Sequence, residues 1–276
     1  MPIQMETPAL APGVEDIIEH FLTEKLRKTG AKGYVIGLSG GVDSAVVLRL
    51  AVRAVGRENV LALMMPDNES PGQDLLDAKE LCDIEGVSNT TIDITGVVAA
   101  FSEALGKKVD RQDLANIKAR VRMAFLYCHA RQDERLVLGT SNKSELLIGY
   151  FTKYGDGGAD LEPIGDLYKT QVCRLAERIK IPKTIRDKQP SAGLWKGQTD
   201  EKDIGMPYDR LDLILKGIEL ALDEGIIEKD TGISVDDVRR ITEMVRLSSH
   251  KRKFPAVVKI GFRTPGLDWR DGDEDI

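Results

Sequence analysis

The sequence predicts an α/β protein: a doubly wound parallel sheet with helices on both faces, followed by C-terminal helices. Short apolar runs that are typical of buried strands alternate with longer segments in which apolar residues recur at helical spacing. This alternation favours parallel strands that are joined by right-handed helical crossovers. The predicted strands are apolar along their length, as expected when helices cover both faces of a sheet.

The predicted elements follow one another as far as residue 151, with residues 96–112 left unassigned. The first helix shows the pattern clearly, because apolar residues stand at positions 17, 18, 21, 22 and 26 and Gly30 then ends it. By the same criterion we predict further helices over 43–56, 71–86, 113–132 and 142–151. Short apolar runs predict strands over 33–38, 59–66, 87–95 and 135–140.

The chain is predicted to form a single domain over residues 1–276. Its α/β core spans about 14–180, and helical patterns at 208–225 and 234–252 predict C-terminal helices over about 207–250. The intervening segment, about 188–209, is polar, rich in Gly and Pro and without periodicity. Because a loop of this length is usually functional or disordered, we expect it to act as a lid.

The composition argues against several classes of protein. A formal net charge of -6 and a pI of about 5.3 disfavour nonspecific binding of nucleic acid. No apolar run approaches the length of a membrane span, and the N-terminus lacks the features of a signal peptide. The cysteines have neither zinc-binding nor paired spacing, which fits a reducing compartment. We therefore expect a cytoplasmic protein that binds neither membranes nor nucleic acid.

The segment SGGVDS, residues 39–44, lies between a predicted strand and a predicted helix. It therefore falls at the carboxyl end of a parallel strand, where ligands of open α/β sheets bind. Gly40 and Gly41 allow backbone N–H groups to form an anion-binding turn, and the next helix adds its positive end. Asp43 would repel a phosphate unless a cation lay between them, so we interpret it as a Mg²⁺ ligand. The alternative is an ordinary Gly-rich turn with an incidental Asp.

A second polar segment, residues 138–172, begins at the end of the fourth predicted strand. Thr140 ends that strand and should therefore lie beside the SGGVDS loop. Glu145, in the following helix, can face the same crevice and share one Mg²⁺ with Asp43. The stretch FTKYGDGGAD gathers Lys153 and Asp160 around glycines; an ordinary surface turn of mixed charge is the alternative.

These motifs resemble those of a known enzyme superfamily. SGGVDS after a strand resembles the signature of the N-type ATP pyrophosphatases, whose fold is adenine nucleotide alpha hydrolase-like. GTSNKSE together with FTKYGDGGAD is similar to the ammonia-dependent NAD synthetases. The resemblance to that family extends over most of the chain, through the blocks NIKARVRM, KQPSAGL, QTDEKDIGMPYDRLD and SSHKRKFP.

The resemblance implies roles for individual residues, which we carry over only where the motifs match. Asp43, Glu145 and Lys169 would form the catalytic set, and the first two would hold Mg²⁺. ATP would be bound by Gly37, Leu38, Ser39, Gly40, Gly41, Val42, Asp43, Ser44, Thr140, Lys169 and Ser191. Deamido-NAD would be contacted by Arg120, Lys153, Asp160, His250 and Lys251.

The resemblance also implies a reaction and an assembly. ATP with Mg²⁺ would adenylate the nicotinate carboxylate of deamido-NAD and release pyrophosphate, and ammonia would then give NAD⁺ and AMP. Glutamine-using relatives carry an extra N-terminal amidase domain, for which the sequence before Tyr34 leaves no room. We therefore expect free ammonia, or ammonia from a separate protein. The family is typically homodimeric, and we expect a homodimer.

Two rival functions stay open on the sequence. Another N-type ATP pyrophosphatase, such as a GMP synthetase or a tRNA-modifying enzyme, would keep SGGVDS but does not explain FTKYGDGGAD. A noncatalytic adenine-nucleotide sensor could be built on the same fold. Release of pyrophosphate separates the enzymes from the sensor.

Overall fold

The computed structural model describes residues 5–191, 193, 195 and 197–268. Within these residues, parallel strands β1 (Gly33–Gly37), β2 (Val60–Met64), β3 (Ser88–Thr91) and β4 (Arg135–Leu138) form one sheet. Their order across the sheet is β3-β2-β1-β4. The chain adds β2 and β3 on one side of β1 and then crosses back to add β4 on the other side, so the winding of the sheet reverses beside β1. Tyr34 of β1 pairs with Val60 of β2 on one side and Leu136 of β4 on the other.

The helices alternate with these strands and then continue alone to the C-terminal end. In the sheet-forming part they are α1 (Val14–Thr29), α2 (Val42–Val55), α3 (Gly72–Glu85), α4 (Thr95–Ala104), α5 (Arg111–Gln132) and α6 (Lys143–Ile148). After it come α7 (Lys169–Arg178), α8 (Lys183–Arg186), α9 (Asp200–Ile204), α10 (Tyr208–Glu219), α11 (Glu224–Thr231) and α12 (Val235–Leu247). Short 3-10 helices span Arg57–Asn59 and Ser248–Lys251.

Helices cover both faces of the sheet, which confirms the predicted doubly wound α/β class. Successive residues of a strand point to opposite faces, and those of β1 enter two separate apolar clusters. Tyr34 and Ile36 pack in a cluster with α1, α2, α3 and α7. Val35 packs on the other side in a cluster with α4 and α5. A third cluster joins α6 to α10, α11 and α12, and it holds α6 and the start of α7 in place.

The strand prediction is wrong for β3 in one respect, because Ser88–Thr91 is polar and exposed along its whole length. An edge strand has a neighbour on one side only, so it can tolerate polar side chains that a central strand cannot. The apolar residues of the predicted strand 87–95 lie at its ends instead. Val87 and Ile94 are both buried, and Ile94 immediately precedes α4.

The predicted helix boundaries differ from the structure where the chain adopts positive φ. The predicted helix 142–151 ends at Ile148, because Gly149 (φ 73°) takes the left-handed conformation that terminates helices. The pattern over 208–225 is divided into α10 and α11, with Ala221 (φ 53°) in the turn between them. Among the described residues, no helix combines the length and the apolar composition that crossing a bilayer requires.

Candidate active site

A cavity of about 880 Å³ opens at the carboxyl ends of β1, β2 and β4. It lies where the winding of the sheet reverses, which is the usual ligand site of open α/β sheets. The structure brings most of the predicted site residues together in its wall. These are Gly37, Leu38, Ser39, Gly40, Gly41, Val42, Asp43, Ser44, Thr140, Glu145, Lys169, Ser191 and Lys251.

The loop between β1 and α2 turns sharply at Gly40, whose φ is 80°. A Cβ atom at this position would stand 2.3 Å from the carbonyl oxygen of Asp74, so only glycine fits. The hydroxyl groups of Ser39 and Ser44 lie 3.1 Å apart and tie the two ends of the turn together. Within the described chain no side chain caps the start of α2. Its first backbone N–H groups are therefore available for an anion in the cavity.

Lys188 supports this loop from the segment that follows α8. Its ammonium donates to the carbonyl oxygen of Gly40 at 3.1 Å and forms ion pairs with Asp74 at 2.7 Å and Asp77 at 2.5 Å. The contact fixes the turn to the start of the predicted lid. The sequence patterns did not single out Lys188, because its partners are more than a hundred residues away along the chain.

The buried ammonium of Lys169 joins the two predicted metal ligands. It forms an ion pair with Asp43 and lies 3.9 Å from the nearest carboxylate oxygen of Glu145. Asn142, which caps α6, donates to the other oxygen of Asp43 at 3.1 Å. Lys169 opens α7, and its backbone N–H donates to the hydroxyl of Ser144 in α6. The start of α7, α6 and the SGGVDS loop thus meet at one point.

The charges at this point depend on one another. Burial, together with the nearby Asp43 carboxylate, raises the pKa of Glu145 well above its ordinary value. Burial acts to lower the pKa of Lys169, but the Asp43 and Glu145 carboxylates outweigh it and raise that pKa. An additional cation between the two carboxylates would therefore be favourable.

Asp43 and Glu145 fit a magnesium ion that is shared with a phosphate. Mg²⁺ prefers oxygen ligands and is usually held by one or two carboxylates together with substrate phosphates and water. Among the described residues there is no group of three or more His, Cys, Asp or Glu side chains that could hold a metal alone. The protein would thus contribute two ligands, and a phosphate group bound at the SGGVDS loop would lie within reach of both.

The predicted dinucleotide residues fall into two groups. Lys251 lies in the cavity wall, where its ammonium donates to the carbonyl oxygens of Gly149 and Phe151, each at 2.7 Å. Arg120, Lys153 and His250 lie outside the wall and contact one another. The Arg120 side chain donates to the carbonyl oxygen of Lys153 at 3.5 Å, and the Lys153 ammonium donates to that of His250 at 2.9 Å.

Asp160, the remaining predicted dinucleotide residue, is engaged within the fold. Its carboxylate accepts the backbone N–H of Val137 at 2.7 Å and the hydroxyl of Tyr127 at 3.1 Å. These bonds join the FTKYGDGGAD segment to β4 and α5. Asp160 is exposed and lies outside the cavity wall.

The sequence patterns missed the contribution of Asp200 and Tyr208 to the site. Tyr208 donates through its hydroxyl to Asp200 at 3.1 Å, and the same hydroxyl lies 3.5 Å from Glu145. The ring of Tyr208 faces the Lys169 ammonium at 5.4 Å. Both residues belong to the block QTDEKDIGMPYDRLD, but no spacing rule predicts that this block folds back against α6.

Comparison with known proteins identifies the family. The profile of the NAD synthase family matches residues 14–255. The chain belongs to the NAD synthase family. A curated family member, the NH(3)-dependent NAD(+) synthetase of Methanosarcina mazei, is 46% identical over 243 residues, which cover 87% of this chain and 95% of that protein.

Solved structures of similar proteins have the same fold. One is an NMN synthetase from Francisella tularensis, with a TM-score of 0.81 and 37% identity, covering 90% of this chain and 98% of that one. Another is an NH3-dependent NAD synthetase from Campylobacter jejuni in complex with the nitrate ion, with a TM-score of 0.77 and 31% identity. The alignment covers 89% of this chain and 97% of that one. The family and the fold predicted from the motifs are therefore confirmed.

Proposed function

We propose that this chain is a C–N ligase that amidates deamido-NAD with ammonia and converts ATP to AMP and pyrophosphate. One observation carries the proposal: a lysine-free phosphate loop meets Asp43, Glu145 and Lys169 at one point in the cavity. Membership of the NAD synthase family supports the choice of acceptor.

The first step is the attack of the nicotinate carboxylate on the α-phosphorus of ATP. A carboxylate is already a nucleophile, so this step needs no general base. Backbone N–H groups at the start of α2 hold the phosphates, and Lys169 offsets the charge that develops on the departing pyrophosphate. Asp43 and Glu145 would hold Mg²⁺, which when bound neutralises phosphate charge and orients the chain of phosphates.

The second step is the attack of ammonia on the adenylated carboxyl carbon. The new C–N bond forms as the C–O bond to AMP breaks, and the nitrogen gives up one proton to solvent. The adenylate must be kept from water during this step. The segment 188–209, which reaches the cavity wall through Lys188 and Ser191, is the proposed lid.

A second acceptor has a specific observation in its favour. The similar structure from Francisella tularensis is named NMN synthetase, so nicotinic acid mononucleotide is the competing acid. The two acids share the nicotinate carboxylate and differ in the adenylate half of the dinucleotide. Arg120, Lys153 and His250 lie outside the cavity wall, where that additional half would extend.

Product analysis tests the function. The protein is incubated with ATP, Mg²⁺, an ammonium salt and one acceptor, and all products are identified by mass spectrometry. We expect NAD⁺, AMP and pyrophosphate with deamido-NAD, and no turnover with XMP or tRNA. Faster turnover of nicotinic acid mononucleotide would select the second acceptor. ATP binding without pyrophosphate release would leave only the nucleotide sensor.

A homodimer is part of the proposal. Helix α4 and the residue that follows it present an exposed apolar stripe. The stripe consists of Val97, Phe101 and Leu105, whose exposed fractions lie between 41% and 49%. Residues four apart share one helix face, and an apolar stripe of this kind is typical of an interface. Light scattering should give twice the 30.4 kDa of one chain, and Phe101→Glu should reduce this to one chain. The cytoplasmic location stays a prediction.

A further inference from the structure

We propose that the buried carboxylate of Asp200 forms an ammonium-binding subsite in the wall of the cavity. This inference rests on the proposed function, because it names the place where the nitrogen donor of that reaction is bound. It adds a substrate subsite that lies apart from the phosphate loop and from Arg120, Lys153 and His250.

One oxygen of Asp200 is a buried acceptor without a donor. The residue is 3% exposed and lines the cavity. Its Oδ2 atom accepts the hydroxyl of Tyr208 at 3.1 Å. Its Oδ1 atom is buried and has no hydrogen-bond partner among the described residues. Buried carboxylate oxygens are normally satisfied, so an oxygen left without a donor inside a ligand cavity indicates a ligand that donates to it.

The polar groups around Asp200 are committed to other partners. The hydroxyl of Tyr150 has one proton, which it donates to Asp203 at 2.8 Å. The same hydroxyl lies beside Asp200, where burial raises the pKa of that carboxyl and the hydroxyl acts to lower it. The amide of Gln198 donates to the same oxygen of Asp203 at 2.9 Å. The Lys169 ammonium forms its ion pairs with Asp43 and Glu145. Among the described residues, no Lys, Arg or His side chain forms an ion pair with Asp200.

The chemistry around this oxygen fits a small monovalent cation with N–H donors. Ammonium offers four N–H groups, so it can donate to Asp200 and also to hydroxyl oxygens of Tyr150 and Tyr208. Aromatic rings beside a carboxylate attract an ammonium ion further. A divalent metal is favoured instead at the Asp43–Glu145 pair, which offers two carboxylates and a nearby phosphate, whereas this subsite offers one carboxylate.

The position of Asp200 suits a nitrogen that must reach the adenylate, where the bound ammonium first releases one proton to solvent and then attacks as ammonia. The Tyr208 hydroxyl contacts both Asp200 and Glu145, so the subsite lies one side chain away from the proposed phosphate site. The backbone N–H of Asp200 also donates to the carbonyl oxygen of Pro190 at 3.1 Å. This bond closes the base of the proposed lid, so the subsite and the lid are formed by the same segment.

Separate assays of the two half-reactions test the subsite. Exchange of labelled pyrophosphate into ATP, measured with deamido-NAD and without ammonium, reports adenylation alone. The KM for ammonium, measured at saturating ATP and deamido-NAD, reports nitrogen binding. For Asp200→Asn we expect the KM for ammonium to rise at least about tenfold, as for loss of a hydrogen bond to a charged group. Exchange should stay within about twofold of the wild type, since the first step does not use nitrogen.

Two further variants complete the test. Glu201→Gln removes the same charge from the next residue, outside the cavity wall, and should leave the KM for ammonium unchanged. Asp200→Ser keeps a hydrogen-bond partner for Tyr208 and should give the same rise in the KM for ammonium. It takes the place of the Asn variant if that variant shows no cooperative unfolding on heating and is therefore not folded.

Three outcomes would overturn the subsite. An unchanged KM for ammonium in a folded Asp200 variant would mean that water alone satisfies the oxygen. A parallel loss of exchange and amidation would place Asp200 in the adenylation step. Absence of exchange in the wild type would remove both the subsite and the proposed function, whereas the first two results leave that function intact.

Discussion

Asp43 and Glu145 face each other across the buried ammonium of Lys169. Either carboxylate alone could be balanced by this lysine, but both ionised together would leave negative charge in the cavity, and burial with the nearby Asp43 accordingly raises the pKa of Glu145. Phosphate oxygens can approach the pair only with a further cation. The side chains therefore favour binding of ATP together with a divalent metal over binding of ATP alone.

Removal of either carboxylate charge should slow the reaction strongly. For Asp43→Asn and Glu145→Gln we expect kcat to fall by about 10²–10³, as for loss of one preorganised electrostatic contact. Steady-state kinetics at several Mg²⁺ concentrations measures the effect. Asp83→Asn, on an exposed part of α3, is the matched control and should retain normal kcat. Near-normal Mg²⁺-dependent turnover in both site variants would contradict the metal assignment.

Glu162 should make the stability of the fold depend on pH. Burial raises the pKa of Glu162 to about 8, although the Ser141 backbone N–H donates to it at 3.1 Å. Between the unfolded pKa of 4.5 and the folded value, the native state holds a proton that the unfolded chain releases. The free energy of unfolding should therefore fall as pH rises through this window, by up to about 1.4 kcal/mol per pH unit from this group.

Urea unfolding of the wild type and Glu162→Gln at several pH values measures this contribution. The amide resembles the protonated acid, so the variant should lose this part of the slope and gain stability at alkaline pH. Equal slopes for the two proteins would show that Glu162 titrates normally.

At the scale of elements, α5 is tied to the loop after β2 by a buried ion pair. Lys118 is 2% exposed and lies 3.0 Å from Asp67 and 2.5 Å from Glu69. Lys118→Met should cost about 3 kcal/mol in the free energy of unfolding, because it leaves a buried carboxylate insufficiently compensated. Lys79→Met, on an exposed face of α3, should change stability by less than about 0.5 kcal/mol. A small effect at both positions would mean that Asp67 becomes protonated or solvated.

The proposed lid contains a natural reporter. The guanidinium of Arg111, at the start of α5, lies 5.5 Å from the ring centroid of Trp195, and both residues line the cavity. If the segment closes on substrates, acrylamide should quench Trp195 fluorescence less when ATP and deamido-NAD are present. Trp195→Phe leaves the signal of the other tryptophan as the control. Unchanged quenching, or equal proteolysis within 188–209 in both states, would argue against a lid.

Elements set by local pattern were predictable from the sequence, and those set by tertiary contact were not. The strand before SGGVDS is central and apolar, and the strand before Thr140 is apolar after Arg135 although it ends the four-strand order. Periodicity therefore located both strands and, with them, the carboxyl ends that carry the predicted site. β3 was predicted as a strand but not as an exposed polar edge, and α7 was not predicted, because it begins within a motif whose charged residues obscure its periodicity. The role of Asp200 depends on α9 and α10 packing against α6, which neither spacing nor charge along the chain encodes.

At the scale of the whole molecule, the chain is net acidic, but its cationic side chains are concentrated in the cavity, where the anionic substrates are expected to bind. The formal charge is -6, yet the cavity wall carries Lys169, Lys188, Lys251, Arg111 and Arg122. The two clusters that flank the sheet hold the SGGVDS loop at its carboxyl edge. The third cluster presses α6 against α10 and α12, which brings Glu145 to that loop. The predicted catalytic set therefore depends on docking of the C-terminal helices onto the sheet.

The fate of a carboxylate oxygen tests the central claim most directly. Deamido-NAD labelled with a heavy oxygen isotope in its nicotinate carboxylate is converted with ATP, Mg²⁺ and ammonium, and the phosphorus products are analysed by mass spectrometry. Attack at the α-phosphorus predicts one labelled oxygen in AMP, with unlabelled pyrophosphate. Label in orthophosphate, together with ADP, would show attack at the terminal phosphate and would contradict the account.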